Sequence, residues 1–293
     1  MKRFFFHIFC TFLLLSGVTS AVDETLYDLR GPALNAGMKL QTEDRFEMKG
    51  VGSVSFRGNV MGQFQMSEVS LEENDLSVDQ VDEGVVTKLT RTIIKKEGES
   101  TSISPEGKKT EKKPSFLVGL KVKSEKTQSG WKHTLDTGKP SGKQKNELAD
   151  LSVMEFNNST IPSGKHKIGA TWDTEGRQFT DLMGLEPEEA KVLSGRLKSA
   201  FTGLKEIDGE SCAVIEHTGS LNGKVKVDDD KFLNVNFTIT GTEYRSLRAG
   251  VTVITELRGE GTGKGQLDVG NGEKAVIDFQ VQLNGYQKNA IRN

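Results

Sequence analysis

Alternation of apolar and polar residues with a period of two is the feature that most restricts the fold of this chain. In the run 274–283 every second residue is apolar and shares one face: Ala275, Ile277, Phe279, Val281 and Leu283. This period places successive side chains on opposite faces of a β-strand. Long alternating strands with short turns favour an antiparallel sheet, and a large sheet curls or closes. The sequence therefore predicts a mainly β fold with minor α: a curved antiparallel sheet, half-barrel or barrel-like, with one or two short helices.

Turn signals divide the alternating runs into hairpins. Asp208-Gly209 separates the runs 200–207 and 210–217, and both turn residues tolerate positive φ. Asn271-Gly272 predicts a second hairpin before the run 274–283. Further strands are predicted at 38–49, 60–71, 85–95, 116–122, 131–135, 224–227, 234–240 and 251–257.

Helices and loops are expected to be few. The acids and proline at 186–189 predict a helix that ends near Gly195, and 145–156 has helical spacing of apolar residues. The polar, lysine-rich segments 96–114 and 138–145 are predicted to be loops. The glycine-rich stretch 258–265 lacks the spacing of a phosphate-binding loop and is interpreted as a hairpin loop.

The first 21 residues have the pattern of a secretory signal. Lys2 and Arg3 precede an apolar run at 4–15, and small residues follow it. Cleavage is predicted after Ser20 or Ala21, which makes the protein secreted or periplasmic. The remainder, 22–293, is predicted to be a single antiparallel β domain, with a boundary near 138–160 left open. No later apolar run is long enough to span a membrane.

Charge and cysteine content narrow the function classes. Without the predicted signal the chain has 37 basic and 41 acidic residues, so no global attraction to nucleic acid is expected. Cys212 is the only cysteine after residue 21, which excludes an internal disulfide there and favours a buried thiol.

No motif for catalysis, metal or cofactor is recognisable. His133, His166 and His217 have no partner at metal-ligand spacing, and each is interpreted as a surface or rim residue. The acidic turn at 228–230 lacks the alternation of a calcium loop. We therefore predict no catalytic residue, no metal, no cofactor and no enzymatic activity.

The segment Ile161–Trp172 (IPSGKHKIGATW) carries a family resemblance. It resembles a proline, short strand and Ile-Gly-x-x-Trp segment of uncharacterised secreted proteins of Gram-negative bacteria, which are similar to the half-barrel superfamily of periplasmic lipoprotein carriers. The resemblance covers about 150–286. It implies a curved antiparallel sheet with an apolar concave face, and it transfers no functional residue.

A ligand on the concave face is the leading functional hypothesis. The residues predicted to face inward and contact it are Trp172, Phe237, Phe279 and Val281. The predicted function is an exported envelope protein that binds a lipid or another apolar ligand in its curved sheet. The alternatives are a structural or protein-interaction module of the envelope, with an envelope protein as its partner, and a carboxylate-dependent hydrolase.

Overall fold

Strands dominate the computed structural model, which describes residues 25–32, 34–151, 153, 161–175, 190–228, 231–270 and 273–292. The predicted mainly β class is confirmed: these ranges hold a large antiparallel sheet and one short helix. The predicted export signal lies outside the described residues and stays a prediction.

The described elements follow one another as a meander. In chain order they are β1 (Tyr27–Asp28), β2 (Lys39–Phe56), β3 (Asn59–Asp82), β4 (Val85–Ser104), β5 (Gly107–Pro114), β6 (Lys121–Thr127), β7 (Gly130–Leu135), α1 (Gly142–Ala149), β8 (Lys165–His166), β9 (Thr171–Glu175), β10 (Ala190–Ile207), β11 (Glu210–Asp228), β12 (Lys231–Ser246), β13 (Thr252–Gly270) and β14 (Glu273–Arg292).

Twelve of these strands form one sheet in the order β7-β6-β4-β3-β2-β14-β13-β12-β11-β10-β9, with β5 paired to the far part of β4. Every pairing in it is antiparallel. The last long strand, β14, pairs with the first, β2, along their whole length. The two halves of the chain therefore meet in the middle of the sheet. The number of domains stays a prediction.

Both predicted hairpins pair as expected. Asp208 and Gly209 turn between β10 and β11 with φ of 50° and 82°, the left-handed conformation that this turn requires. Around the second turn, Gly270 pairs with Glu273, while Asn271 and Gly272 lie outside the described residues.

The predicted helices are partly wrong. Residues 190–195 belong to β10, because cross-strand pairing with β11 overrides their helical spacing, and 186–189 lie outside the described residues. The second helix is α1, which begins earlier than predicted. Its start is set by Ser141, whose hydroxyl accepts a hydrogen bond from the Gln144 amide while the Gln144 side chain accepts from the Ser141 amide.

Of the two segments interpreted as loops from their composition, 138–145 has no regular structure up to Ser141 and then begins α1, whereas 96–114 consists of strands. Residues 96–104 continue β4, and 107–114 form β5. Their polar side chains pair across strands, as in the Thr101–Thr110 hydroxyl contact of 3.1 Å and the Lys113–Glu68 ion pair of 3.1 Å. The glycine-rich stretch 258–265 likewise lies within β13.

Apolar side chains cover one end of the sheet, which we call the closed end. They lie on the face that carries Leu40 and Leu76, which we call the inner face. One cluster joins Leu40 of β2 and Leu76 of β3 to Leu89 of β4 and to Val251, beside the turn between β12 and β13. A second cluster surrounds Phe201, and a third packs α1 against β4 and β6.

Further from that end, aromatic and aliphatic side chains lie flat on glycines of neighbouring strands. A Cβ atom on Gly261 would overlap the Phe237 ring, and one on Gly263 would overlap the Phe279 ring. Gly52 is covered in the same way by Phe64. These glycines have no side chain because a neighbouring ring occupies the space, so the face is filled by its own side chains.

We predict that Gly263→Ala destabilises the protein by about 1–2 kcal/mol, the usual range for forcing an extra methyl group into a packed face. Gly203→Ala is the control, because a Cβ atom there meets nothing within 4 Å. Urea unfolding of both variants measures the difference. Equal effects at the two positions would show that the Phe279 ring does not need the space.

Candidate functional site

A pocket of about 450 Å³ opens on the inner face near the middle of the sheet. It lies where β14, β2 and β3 run side by side, between the apolar closed end and the glycine-rich region. Its lining mixes charged groups, such as Asp44 and Lys96, with the apolar side chains Phe46 and Leu257.

Strand register builds the floor of this pocket. Gln287 of β14 lies opposite Asp44 of β2, which lies opposite Glu72 of β3. The same row continues to Thr255 on one side and Lys96 on the other. We call these five residues the polar row. Because side chains two residues apart share a face, the next row toward the closed end is Asn289, Thr42 and Asn74, all buried.

Asp44 is the perturbed acid of the polar row. Burial raises the pKa of its carboxyl to about 6, and the negative charge of Glu72 adds to this rise. The hydrogen bond from Gln287 Nε2 to Oδ1, at 2.8 Å, and the positive charge of Arg91 oppose it. Its direct hydrogen-bond partner is thus a neutral amide. Within the described ranges Asp44 lies in no salt bridge.

The neighbouring acids of the pocket are paired with cations. Glu72 lies 3.4 Å from Arg91 and 3.2 Å from Lys96, measured between charged nitrogen and oxygen atoms. Glu68 is paired with Lys113 at 3.1 Å. Asp44 is therefore the pocket carboxylate whose negative charge is least compensated by the protein.

A second polar network crosses β10, β11 and β12. The Ser199 hydroxyl lies 2.8 Å from Nδ1 of His217, whose Nε2 lies 3.4 Å from Glu243. Thr252 donates a hydrogen bond to the same carboxylate, and Arg245 lies 3.4 Å from it. The order of serine, histidine and acid resembles a hydrolytic triad, but Ser199 is fully buried and cannot contact a substrate in this structure.

The electrostatics of this network favour a structural role. Burial raises the pKa of Glu243, but the hydrogen bond with His217 and the charge of Arg245 outweigh it, and the net pKa is lowered to about 2. Arg245 also donates to the carbonyl oxygens of Leu29 and Gly250. The network therefore holds the segment before β2 and the turn after β12 against the sheet.

The interpretation of all three histidines as surface or rim residues is wrong for His217, which is buried. His133 is partly buried and contacts the Ser124 hydroxyl at 2.8 Å, and burial lowers its pKa. His166 contacts the Ser163 carbonyl. Cys212 is buried as predicted, and burial raises its pKa to about 11, so this thiol is unreactive at neutral pH.

The residues predicted as ligand contacts lie away from the pocket. Phe237, Phe279 and Val281 do share the inner face, but they cover the glycines of β13. Trp172 belongs to the cluster around Phe201. As ligand contacts all four stay a prediction.

Sequence reasoning missed the polar row, although β2 carries a signal for it. Leu40, Thr42, Asp44, Phe46 and Met48 alternate onto the inner face, so an acid lies on the apolar side of an amphipathic strand. A carboxylate in that position is buried unless the strand is displaced.

The described residues contain neither a cluster of metal-ligating side chains nor a helix that could span a membrane. Among the described residues no group of three or more histidine, cysteine or acidic side chains is placed to hold a metal ion. No helix in the described part of the chain has the length and apolar character needed to cross a membrane.

Comparisons with known proteins assign no family. No family model matches the chain, and no curated protein matches it. Among solved structures, the chain is similar to OprB of Pseudomonas putida at low pH, with 10% identity and a TM-score of 0.23, over 87% of this chain and 93% of that one. A TM-score this low does not establish a shared fold.

The predicted relationship to lipoprotein carriers is wrong. The described strands instead form one continuous sheet of twelve antiparallel strands, in which the long strands β2 and β14 pair. The predicted lipid-binding function is wrong as well, because the apolar inner face is filled by its own side chains and the pocket floor is charged. The hydrolase alternative is set aside because Glu72, the acid beside Asp44, is paired with two cations. The alternative of a structural or protein-interaction module is set aside together with the lipid-binding and hydrolase functions. An envelope protein as binding partner stays a prediction.

We predict that Glu243→Gln removes part of the acid sensitivity of folding. The folded pKa of Glu243 is below its ordinary value of 4.5, so its stabilisation is present above about pH 5 and is lost as the pH falls toward 2. In the wild type this group contributes on the order of 2 kcal/mol over that interval. Unfolding by denaturant at several pH values measures it. Glu256→Gln, on the exposed face of β13, is the control, and an unchanged acid slope in Glu243→Gln would contradict the analysis.

We predict the opposite sign for Asp44. Its folded pKa is raised to about 6, so the favourable contribution of the protonated acid is present below about pH 4 and is lost as the pH rises through 6. Asp44→Asn should therefore stabilise the protein at pH 7.5, by on the order of 2 kcal/mol, and leave it nearly unchanged at pH 4. Thermal or urea unfolding at the two pH values provides the test, and equal gains at both would contradict it.

Proposed function

We propose that this chain is a binding protein for a small organic cation, with Asp44 as its counter-ion. The observation that carries the proposal is a partly buried carboxylate in a pocket, whose direct hydrogen-bond partner is the neutral amide of Gln287. Burial deprives the Asp44 carboxylate of hydration. A cation that enters the pocket would stabilise the charged carboxylate and offset this loss.

The chemistry of the polar row favours a cation over an anion. The other acids that line the pocket are already paired with lysine or arginine, and the amide of Gln287 occupies one oxygen of Asp44. An anionic ligand would be repelled by the negative charge of Asp44, which no salt bridge among the described residues compensates. A perturbed acid in a pocket is also the usual sign of a binding or reaction site.

Burial of a charged residue where an amide would fit also supports a role in binding. Asparagine at position 44 could accept the same hydrogen bond from Gln287 without a desolvated charge. Retention of an acid at this cost to stability is typical of positions selected for function.

The N-terminal sequence supports a location of this activity outside the cytoplasm. A signal-like segment at 1–21 supports export, so the ligand would be met in the cell envelope or beyond it. This location is part of the proposal.

NMR titration of the purified chain with ethylammonium and with guanidinium at pH 7.5 and pH 5.0 tests the proposal. We expect at least one cation to shift the amide signals of β2 and β14 around the pocket. Binding should weaken about tenfold at pH 5.0, one unit below the pKa of Asp44, because the carboxylate is then largely protonated.

Two variants isolate the role of the carboxylate. Asp44→Asn is expected to weaken binding at least tenfold, the loss that corresponds to one charged hydrogen bond. Asp278→Asn removes the same charge on the exposed face of β14 and should bind as the wild type does. The proposal fails if neither cation binds at pH 7.5, or if Asp44→Asn binds as tightly as Asp278→Asn.

A further inference from the structure

Gly285 differs from the other glycines of the inner face. The glycines of that face on β2 and β13 are all covered by neighbouring side chains, as Gly52 is by Phe64 and Gly263 is by Phe279. A Cβ atom on Gly285 would meet only Leu257 Cβ, at an ordinary 3.7 Å. The space beside Gly285 is therefore not filled by a neighbouring side chain, and it is part of the pocket.

The two residues in register with Gly285 form the walls of this space. Phe46 of β2 lies opposite Gly285 on one side, and Leu257 of β13 lies opposite it on the other. Neighbouring strands are about 4.8 Å apart, so the Cα atoms of Phe46 and Leu257 stand about 10 Å apart with no side chain between them. Phe46 is 37% exposed, although it lies on the inner face. We call this gap the Gly285 slot.

The slot lies one row above Asp44 on the same face. Asp44 and Phe46 are two residues apart in β2, which separates their positions by roughly 7 Å along the strand. An apolar group in the slot and a cation beside Asp44 would therefore be roughly two or three carbon atoms apart in one molecule.

We propose that the ligand is an amine joined by a short alkyl linker to an apolar ring, with the ring in the Gly285 slot and the ammonium beside Asp44. The inference rests on the proposed function and adds the class of cation. The Phe46 ring supplies an aromatic wall for both parts of the ligand, since aromatic faces attract rings and cations alike. Small inorganic or purely aliphatic cations leave the slot empty.

The test compares 2-phenylethylammonium with ethylammonium by NMR titration at pH 7.5. Burial of the ring should make the aromatic amine bind at least tenfold more tightly, since removal of a Phe-sized apolar group from water contributes about 1.5–3 kcal/mol. Phenol, a ring without a cation, should bind more weakly than the aromatic amine.

Gly285→Val fills the slot without left-handed backbone strain, since Gly285 does not have positive φ. The variant should bind 2-phenylethylammonium only as tightly as it binds ethylammonium. Its affinity for ethylammonium should stay within about twofold of the wild-type value, because the Asp44 carboxylate is unchanged. Gly203→Val is the matched control at an open strand glycine outside the pocket. Its ligand affinity should equal that of the wild type.

The outcomes separate the two proposals. Asp44-dependent binding of ethylammonium with no gain from the ring, or full 2-phenylethylammonium affinity in Gly285→Val, overturns the slot and leaves the cation site standing. Failure of every amine to bind at pH 7.5 overturns both. If Gly285→Val does not fold, Gly285→Ala replaces it, with a partial loss expected for the aromatic amine alone.

Discussion

The pairing of β14 with β2 is the constraint on which the rest of this structure depends. It runs from Ala275 opposite Phe56 to Arg292 opposite Lys39 and joins strands more than 200 residues apart in the chain. Register in a sheet decides which face each side chain occupies, and a slip of one residue would move Asp44 to the charged outer face. The same register aligns Gln287 with Asp44 and Gly285 with Phe46. Pocket floor and slot are thus consequences of one pairing.

Three regions follow one another along the inner face, and each has a different physical basis. Near the closed end, aliphatic side chains bury one another, as Leu40 and Leu76 do. Toward the other end, large side chains pack on glycines, which flattens the face and removes space for a ligand. The polar row lies between these regions. A pocket forms there because its charged side chains do not fill the volume above them and because Gly285 is left uncovered.

The alternation in the sequence was sufficient to predict the class of fold, and Asp208-Gly209 was sufficient to predict one hairpin. Composition misled where strands are polar on both faces: β5 contains four lysines and no apolar side chain, and it is ordered by pairing with β4 rather than by burial. Helical spacing misled at 190–195 for a related reason, since pairing with β11 decides the local structure. The site was beyond reach because its residues come from distant strands. Only the presence of Asp44 on an apolar strand face was visible in the sequence.

Two partly buried carboxylates of this sheet, Glu243 and Asp44, have very different electrostatic surroundings. Glu243 receives a histidine, an arginine and a threonine hydroxyl, and its charge is held so firmly that it strengthens the fold. Asp44 receives one amide and an acidic neighbour, and its charge weakens the fold at neutral pH. Cationic side chains are present near Asp44 as well. Arg91 and Lys96 lie on β4, two strands away from β2, but both form their salt bridges with Glu72 on β3. Among the described residues, cations thus form salt bridges with Glu243 and Glu72 but none with Asp44, on which Arg91 acts only at longer range, and this is the arrangement that a site for an external cation requires.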